Sequence, residues 1–331
     1  MRLVKRPKME KNSRTYIAGH RGLVGSAIRR KLEEQGYSNL LFRSHAELDL
    51  TDRGEVNAFF SQERPEYVFI AAAKVGGILA NDTYPADFIR ENLQIQTNVI
   101  DASYKTGVKR LLFLGSSCIY PKLAPQPIKE EYLLTGPLES TNRAYAMAKI
   151  AGIEMCWSYN KQYGTRYLAA MPTNLYGPGD NFDLQGSHVL PALMRKVVEA
   201  KHSGQKRLTV WGTGTPRREF LYSEDLAEAC VHLLNLPEAA FNSLLTEKEA
   251  PLINIGTGED LTIRELAELV SRVLDFECEL VFDASRPDGT PQKLLDVSRI
   301  HALGWKAKTS LEEGIRRTFA SARPQLELTT S

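Results

Sequence analysis

The chain has 331 residues, of which 43% are hydrophobic and 25% charged, and its 42 basic residues nearly balance its 40 acidic residues. This is the composition of a globular protein, and its length indicates about two domains that need no disulfide or metal to hold them. The balanced charge argues against nucleic acid as a partner, because no excess of cations is present to bind phosphates.

The first thirteen residues form a basic segment before the first apolar run. The segment reads MRLVKRPKMEKNS and lacks the apolar core of a secretory signal, so we expect a disordered, solvated tail. No run of about eighteen apolar residues follows, so we expect no membrane partner. The cysteines show no paired spacing typical of metal or redox sites, so we expect no metal and a reducing, cytoplasmic location. They are Cys118, Cys156, Cys230 and Cys278.

Residues 14–177 alternate short apolar runs with longer segments of helical period. The apolar runs are TYIAGH, LLFRS, YVFIAAA, RLLFLGSS and TRYLAAMPTNLYG, and the intervening helical segments include 23–35 and 86–106. Continuous β-rich runs joined by helices indicate a parallel sheet covered on both faces, with right-handed crossovers. We therefore predict an α/β fold with a Rossmann-type, doubly wound parallel sheet over this range.

Residues 178–331 are richer in loops and glycine turns. A helix is predicted near 189–201, a strand at LTVWG and a further helix at TIRELAELVSRVL. The last helix carries one apolar stripe, which we expect to be core; its members are Ile263, Leu266, Leu269, Val270 and Val273. We predict a smaller α/β domain, mainly for substrate binding, with some segments returning to the first domain.

The first predicted strand leads directly into a glycine turn and an amphipathic helix, which is the context of a dinucleotide-binding fingerprint. The turn consists of Gly19, His20, Arg21, Gly22, Leu23, Val24 and Gly25. Its GxxGxxG spacing departs from GxGxxG. The glycines still permit a tight turn and bring backbone amides close to a pyrophosphate at the positive end of the helix. We predict that this turn binds a dinucleotide.

The end of the second predicted strand bears on the choice between NAD and NADP. An NAD-binding unit usually has an acidic residue there, whereas this chain has Arg43, Ser44 and His45. Basic groups favour the 2′-phosphate of NADP, and Arg21 is able to reach the same phosphate. A solvated strand end is the alternative interpretation of Arg43 and His45. We expect NADP(H).

Three residues typical of carbonyl reduction lie downstream. Ser116 ends the run RLLFLGSS, and Tyr145 and Lys149 are four residues apart in a helical segment, hence on one face. A lysine beside a phenol lowers its pKa, and Ser116 is able to donate a second hydrogen bond to the same carbonyl oxygen. YxxxK alone usually marks a surface helix, but together with the glycine turn and the serine it predicts a carbonyl reductase.

Motifs from about Thr15 to Trp305 carry a resemblance to a known family. They are AGHRGLVGSAI, IAAAKVGGI, NDTYPADFI, LLFLGSSCIYPKLAPQPI, YAMAKIAGI, MPTNLYGPGDNF, SHVLPALMRK, VWGTGTPRREFLY and RPDGTPQKLLD. On these motifs the chain resembles the extended short-chain dehydrogenase/reductases, in particular members that act on GDP-4-keto-6-deoxy-D-mannose. The resemblance implies epimerisation of this GDP-sugar at C3 and C5, followed by NADPH-dependent reduction of its C4 ketone to give GDP-L-fucose. It also implies a homodimer, for which segments 86–106 and 145–162 are the candidate surfaces.

The resemblance further implies roles for individual residues. It gives reduction to Ser116, Tyr145 and Lys149, and gives the epimerisations to Cys118 and His188. A thiol and an imidazole suit the base and acid needed on opposite faces of an enolate. The implied cofactor contacts are the glycine turn with Arg43, His45, Leu114, Gly115, Ser116, Ser117, Lys149, Pro172, Thr173, Asn174, Leu175 and His188. The implied substrate contacts are Lys196, Trp211, Arg218 and Asp288.

Two rival functions stand beside this prediction. One is another nucleotide-sugar epimerase or dehydratase of the same family, which keeps its NAD bound and regenerates it in each turnover. Cys118 and His188 argue against it. The other is a dinucleotide-sensing module without catalysis, against which the presence of Ser116, Tyr145 and Lys149 argues.

Overall fold

Short strands alternate with helices along the residues that this computed structural model describes, which are 9–184, 186–286 and 288–328. The strands are β1 (Thr15–Ala18), β2 (Leu40–Leu41), β3 (Tyr67–Ile70), β4 (Arg110–Leu114), β5 (Tyr167–Pro172), β6 (Asn174–Tyr176), β7 (Arg207–Trp211), β8 (Arg217–Arg218), β9 (Phe220–Tyr222), β10 (Leu252–Ile255), β11 (Leu261–Thr262), β12 (Glu279–Asp283) and β13 (Gln292–Lys293). The helices are α1 (Leu23–Glu34), α2 (Arg53–Glu63), α3 (Ile78–Thr83), α4 (Pro85–Thr106), α5 (Arg143–Tyr163), α6 (Val189–His202), α7 (Ser223–Leu234), α8 (Glu238–Asn242), α9 (Ile263–Val273), α10 (Ser298–Ala302) and α11 (Leu311–Leu328).

A six-stranded parallel sheet lies at the centre of the fold, with the strand order β10-β5-β4-β3-β1-β2. All residues of β1, β3, β4, β5 and β10 are buried, which explains why these strands are continuous apolar runs in the sequence. Two helix pairs, α4 with α5 and α1 with α7, pack on the sheet. The prediction of a Rossmann-type α/β fold is confirmed.

The predicted run TRYLAAMPTNLYG forms two strands instead of one. β5 ends at Pro172, and β6 leaves the main sheet to pair with β9. At the break, the Thr173 N–H donates to the Ile255 carbonyl of β10 (3.1 Å), and its hydroxyl donates to the carbonyl of Glu219, which precedes β9 (3.2 Å). The chain therefore leaves the sheet at the point where β5 ends.

The predicted tail spans residues 1–13, of which residues 1–8 lie outside the described residues. Residues 9–13 pack against the first domain. The Met9 side chain is buried, its N–H donates to Asn235 Oδ1 (3.1 Å), and the Tyr37 hydroxyl donates to its carbonyl (3.3 Å). This part of the segment is therefore anchored to the ends of α1 and α7.

The apolar side chains form two separate cores. The first surrounds the main sheet and includes α7, β10 and residues near Trp305. The second lies among α6, α9, α11 and β7, and contains the apolar stripe of α9. The domain boundary near residue 177 stays a prediction, because Tyr176 already belongs to the second core and Leu221 belongs to the first. The later chain crosses back into the first core through β10, which becomes an edge strand of its sheet.

The buried Glu219 side chain holds two loops of the second half of the chain in place. Its oxygens accept hydrogen bonds from Thr257 N (2.6 Å), Gly258 N (2.8 Å) and Leu295 N (3.0 Å). A Cβ at Gly256 would overlap Glu219 Oε1, so only glycine fits there. Glu219 thus joins the loop after β10 to the entry of β9.

None of the described helices combines the length and the apolar character required to cross a membrane. Over the same ranges, no group of three His, Cys, Asp or Glu side chains is arranged to hold a metal ion.

We expect Glu219→Ala to lower the free energy of unfolding by about 3 kcal/mol, because three buried N–H groups lose their acceptor. Urea denaturation measures this change, with Glu259→Ala as the matched control, since Glu259 is exposed and lies in the same loop. Equal stability of the two variants would contradict the role given to Glu219.

Candidate active site

The loops that follow β1, β2, β4 and β5 meet at one edge of the sheet. Parallel strands bring their carboxyl ends together there, which is where ligands bind in open α/β sheets. Gly19 follows β1, Arg43 follows β2, Ser116 follows β4, and Thr173 follows β5. Most of the predicted cofactor residues therefore come to one edge.

The three glycines of the turn after β1 are needed for three different reasons. Gly19 has a φ of +82°, and a Cβ on it would lie 2.6 Å from Ala72 N. A Cβ on Gly25 would overlap the Gly19 carbonyl oxygen, so Gly25 lets α1 approach the turn. Gly22 begins α1, no side chain caps the helix there, and a Cβ would find only ordinary contact at 3.5 Å. The turn thus offers uncapped helical amides to an anion, which fits a dinucleotide pyrophosphate.

His20 is buried beside this turn, and its ring packs 4.9 Å from that of Phe42. Burial lowers its pKa, and the charges of Arg21 and Arg29 lower it further, so the ring is neutral near pH 7. Its Nδ1 is buried without a hydrogen-bond partner among the described residues. Leu23 and Val24 are partly buried in the first turn of α1.

Two arginine side chains, Arg43 and Arg21, lie near the end of β2. Arg43 Nη2 binds Glu63 Oε1 at 2.7 Å, and its guanidinium lies 5.3 Å from the Phe59 ring centre. Glu47 accepts hydrogen bonds from Ser44 N (2.7 Å) and Ser44 Oγ (2.6 Å). These bonds and the nearby Arg43 and Arg21 charges lower its pKa. Two arginines therefore share a small region at the strand end, which fits the 2′-phosphate of NADP.

His45 stands apart from these cations. Its side chain is largely exposed, and its Nδ1 lies 3.9 Å from Asp49 Oδ1. Among the remaining cofactor candidates, Gly115 admits no side chain, because a Cβ there would overlap Met171. Asn174 uses its amide to donate to the Glu219 carbonyl at 2.7 Å. Leu175 packs against the first core.

The two residues of the YxxxK motif are fixed by close contact between α5 and β4. Gly152 permits that contact, since a Cβ there would lie 2.5 Å from the Phe113 ring. Lys149 is buried, and its Nζ donates to the Leu114 carbonyl at 2.8 Å. The same Nζ lies 5.7 Å from the Tyr145 ring centre, so the predicted pair does share one face of the helix.

Burial governs the protonation of this pair. It raises the pKa of the Tyr145 phenol and lowers the pKa of Lys149 to about 8. Burial therefore outweighs the lowering of the Tyr145 pKa that the sequence predicts from the Lys149 charge, and the Lys149 Nζ is itself bonded to the Leu114 carbonyl. The phenol remains protonated near pH 7 and is able to donate a proton.

Cys118 lies beside this pair in a single 3₁₀ turn, Ser117–Ile119. Its backbone N–H donates to Ser116 Oγ at 3.4 Å, which joins the turn to the predicted reductase serine. Burial raises the pKa of the thiol, and nearby Lys293 and Lys149 oppose that rise. Cys118, Asn142, Glu139 and Lys293 all line one cavity.

His188 precedes the first residue of α6 and approaches the same charges from the second half of the chain. Surrounding protein atoms and the Lys293 ammonium lower its pKa. The loop before it is held to the loop after β3 by a hydrogen bond from Gly77 N to the Gly186 carbonyl (3.1 Å). Cys118 and His188 thus both lie within the influence of Lys293.

The four predicted substrate residues form two pairs at the rim of the cleft. Lys196 Nζ lies 5.1 Å from the centre of the Trp211 ring, which is half exposed. Arg218 Nη2 donates to the Asp288 carbonyl at 3.4 Å, and the Asp288 carboxylate accepts from Thr213 N (2.8 Å). One pair offers an aromatic face beside a cation, and the other a positioned guanidinium.

Sequence reasoning missed three residues of this cleft. Lys293 pairs with Arg218 across β13 and β8. The Arg286 guanidinium lies 4.9 Å from the Trp211 ring centre. Asn142 has a buried Oδ1 with no partner in the described ranges. The motif RPDGTPQKLLD has a cation on each side of Asp288, and these cations are Arg286 and Lys293. The motif was therefore the sequence signal from which both could have been predicted.

Comparison with known proteins shows the family to which the chain is similar. Residues 15–255 match the model of the NAD dependent epimerase/dehydratase family. The chain is 58% identical over 310 residues to GDP-L-fucose synthase 1 of Arabidopsis thaliana, covering 94% of this chain and 93% of that protein. It is 54% identical over 309 residues to GDP-L-fucose synthase of Escherichia coli K12, covering 92% and 95% respectively.

Among solved structures, a GDP-L-fucose synthetase from Naegleria fowleri bound to NADP is similar, with a TM-score of 0.84 and 27% sequence identity. The match covers 98% of each chain. The similarity therefore extends over both halves of the chain.

We expect Gly22→Ala to weaken NADPH binding by at least ~10-fold without changing the melting temperature, because its methyl group enters only the space that a pyrophosphate needs. Gly25→Ala should lower the melting temperature as well, because its methyl group overlaps the Gly19 carbonyl. Fluorescence titration with NADPH and thermal unfolding measure the two effects. Unchanged NADPH affinity in Gly22→Ala would place the pyrophosphate elsewhere.

Proposed function

The chain belongs to the NAD dependent epimerase/dehydratase family and, within it, to the GDP-L-fucose synthases, and we propose that both steps of this synthesis use one carbonyl-binding site in the cleft described above. The reaction converts GDP-4-keto-6-deoxy-D-mannose to GDP-L-fucose by epimerisation at C3 and C5, followed by NADPH-dependent reduction of the C4 ketone. One observation carries the proposal of a shared site: the 3₁₀ turn that contains Cys118 packs against α5, the helix that carries Tyr145 and Lys149.

NADP(H) is the cofactor, and the residues present fit it. The backbone of the glycine turn receives the pyrophosphate at the start of α1, and Arg21 and Arg43 hold the 2′-phosphate. When bound, the reduced nicotinamide supplies the hydride for C4. The loops after β4 and β5, from Leu114 and from Pro172 onward, form the walls beside it.

Epimerisation requires a base and an acid on opposite faces of the sugar, because the C4 ketone acidifies the hydrogens on C3 and C5. The Cys118 thiolate takes the proton, so that an S–H bond forms while the C–H electron pair moves into an enolate. His188 then delivers a proton to the other face. Ser116 and Tyr145 donate hydrogen bonds to the enolate oxygen.

Reduction uses the same oxygen. As C4 becomes tetrahedral, Tyr145 gives its phenolic proton to the oxygen and Ser116 holds it in place. The phenol is protonated beforehand, since burial raises its pKa. Lys149, fixed by the Leu114 carbonyl, faces the phenolate that remains and stabilises it.

The GDP moiety extends toward the second half of the chain. Lys196 and Arg218 meet the diphosphate, and Trp211 supplies an apolar face for the nucleoside. Burial lowers the pKa of both cations, which indicates that their charges lie in a partly desolvated cleft. Asp288 positions Arg218 through its carbonyl group and holds the Thr213 loop.

A homodimer through α4 and α5 is part of the proposal. Apolar side chains are exposed on these helices, namely Tyr104 (37%), Met147 (42%) and Tyr163 (45%), and the Tyr104 and Tyr163 rings stack at 4.2 Å. Such a patch on a helix pair is typical of an interface.

Since Cys118 acts as a free thiol, the proposal also places the enzyme in a reducing compartment, the cytoplasm.

The function is tested by supplying GDP-4-keto-6-deoxy-D-mannose with NADPH in deuterated water and identifying the product by NMR. We expect NADPH consumption, GDP-L-fucose and deuterium at C3 and C5. Cys118→Ser should reduce the deuterium wash-in by about 10²-fold or more while NADPH binding is retained. Cys278→Ser is the control, because Cys278 packs against the second core, where its Sγ lies 3.7 Å from Ser271 Oγ. Without NADPH oxidation by the unmodified enzyme, the assignment as a synthase is wrong.

For the dimer, we expect a double variant, Tyr104→Glu with Tyr163→Glu, to be monomeric, because its carboxylates would be buried without partners in the interface. Light scattering after size-exclusion chromatography gives the mass. Leu123→Glu is the control, since Leu123 is 79% exposed and lies outside α4 and α5. A dimeric double variant would exclude this surface.

A further inference from the structure

Lys293 is a cation of the cleft to which the mechanism above gives no role. It lies on β13, whose pairing with β8 sets it opposite Arg218. Its side chain lines the cavity that also holds Cys118. Among the described residues no group accepts a hydrogen bond from its Nζ or forms an ion pair with it, and an unpaired ammonium in a desolvated position is costly.

The other charged groups near Cys118 already have partners or the wrong charge. From α5, the Lys149 ammonium is bonded to the Leu114 carbonyl, and Tyr145 is a neutral phenol. On the cavity wall, the Glu139 carboxylate accepts from Thr141 N (3.0 Å). Burial lowers the pKa of Lys293 and the Arg218 guanidinium lowers it further, while Cys118 and Glu139 oppose this. Lys122 faces Glu139 at 3.9 Å. Lys293 is thus the cation in the cavity that remains available to a negative sulfur.

We propose that Lys293 is a positioning residue whose ammonium is the counter-ion of the Cys118 thiolate and so prepares the base for epimerisation. The inference rests on the proposed function. Lys293 forms and breaks no bond. It stabilises the sulfur anion before the sugar C–H proton moves to sulfur.

The same charge acts on the acid of the reaction. Lys293 opposes the effect of burial on the Cys118 pKa and lowers the pKa of His188. The cation favours the thiolate form of Cys118, which is the form that a base requires. Removal of Lys293 should therefore slow proton transfer more than it weakens substrate binding.

The direct test is the pH dependence of Cys118 alkylation by iodoacetamide, followed by mass spectrometry in a Cys278→Ser background. Cys156 and Cys230 are fully buried and do not compete. In Lys293→Met, we expect the midpoint of alkylation to rise by about one pH unit and the rate at neutral pH to fall about tenfold. Lys293→Arg should restore the midpoint, because it keeps the charge. Lys122→Met is the matched control and should leave the profile unchanged.

Deuterium wash-in at C3 and C5 provides the second measurement. We expect Lys293→Met to lower the rate constant for exchange about tenfold and to leave the KM for the GDP-sugar within about twofold. NADPH titration checks the integrity of each variant. Should Lys293→Met fail to bind NADPH, Lys293→Gln carries the same test.

A raised KM with an unchanged alkylation profile would overturn the proposal and make Lys293 a contact for the substrate diphosphate. Alkylation needs no turnover. Failure of the unmodified enzyme to form GDP-L-fucose is therefore distinguishable from failure of the counter-ion proposal.

Discussion

The contact between α5 and β4 is the constraint on which the proposed carbonyl site depends. The absence of a side chain at Gly152 lets the Phe113 ring lie against the helix, and Gln96 Nε2 binds the Ala148 carbonyl at 2.6 Å to hold α4 on the same helix. At this separation Lys149 reaches the Leu114 carbonyl at the end of β4. Tyr145, one turn earlier, is thereby brought next to the turn that contains Cys118. A wider spacing would separate the proton donor from the thiol.

The position of the second half of the molecule relative to this site depends on hydrogen bonds made by Glu219. Its own core packs without the main sheet, so its orientation depends on the segments that cross between the cores. Glu219 fastens those crossings by accepting three backbone hydrogen bonds, while its carbonyl accepts from Thr173 and Asn174. Arg218, the preceding residue, is consequently held beside Lys293. Arg218, for which we propose a substrate contact, is thus placed by the buried carboxylate next to it in the chain.

Local patterns in the sequence were sufficient for much of this structure. The glycine turn, the YxxxK spacing and the apolar stripe of α9 depend on near neighbours in the chain, and the structure has them where the sequence predicts. The break at Thr173 and the role of Lys293 depend on residues tens of positions away, so no local pattern revealed them. Burial raises the pKa of Tyr145, and the spacing of Tyr and Lys in the sequence gives no information about burial. Met9 packs through Asn235, again a distant partner.

The position of β10 has a consequence for how the molecule can be divided. This strand comes from the second half of the chain, yet it pairs with β5 along its whole length, from Leu252 opposite Ala169 to Ile255 opposite Pro172. A fragment that stops at residue 177 would leave β5 as an unprotected, fully apolar border, and such borders recruit strands from other molecules. The cofactor half is therefore not an independent folding unit, and a truncated gene product would be expected to aggregate before it bound any nucleotide.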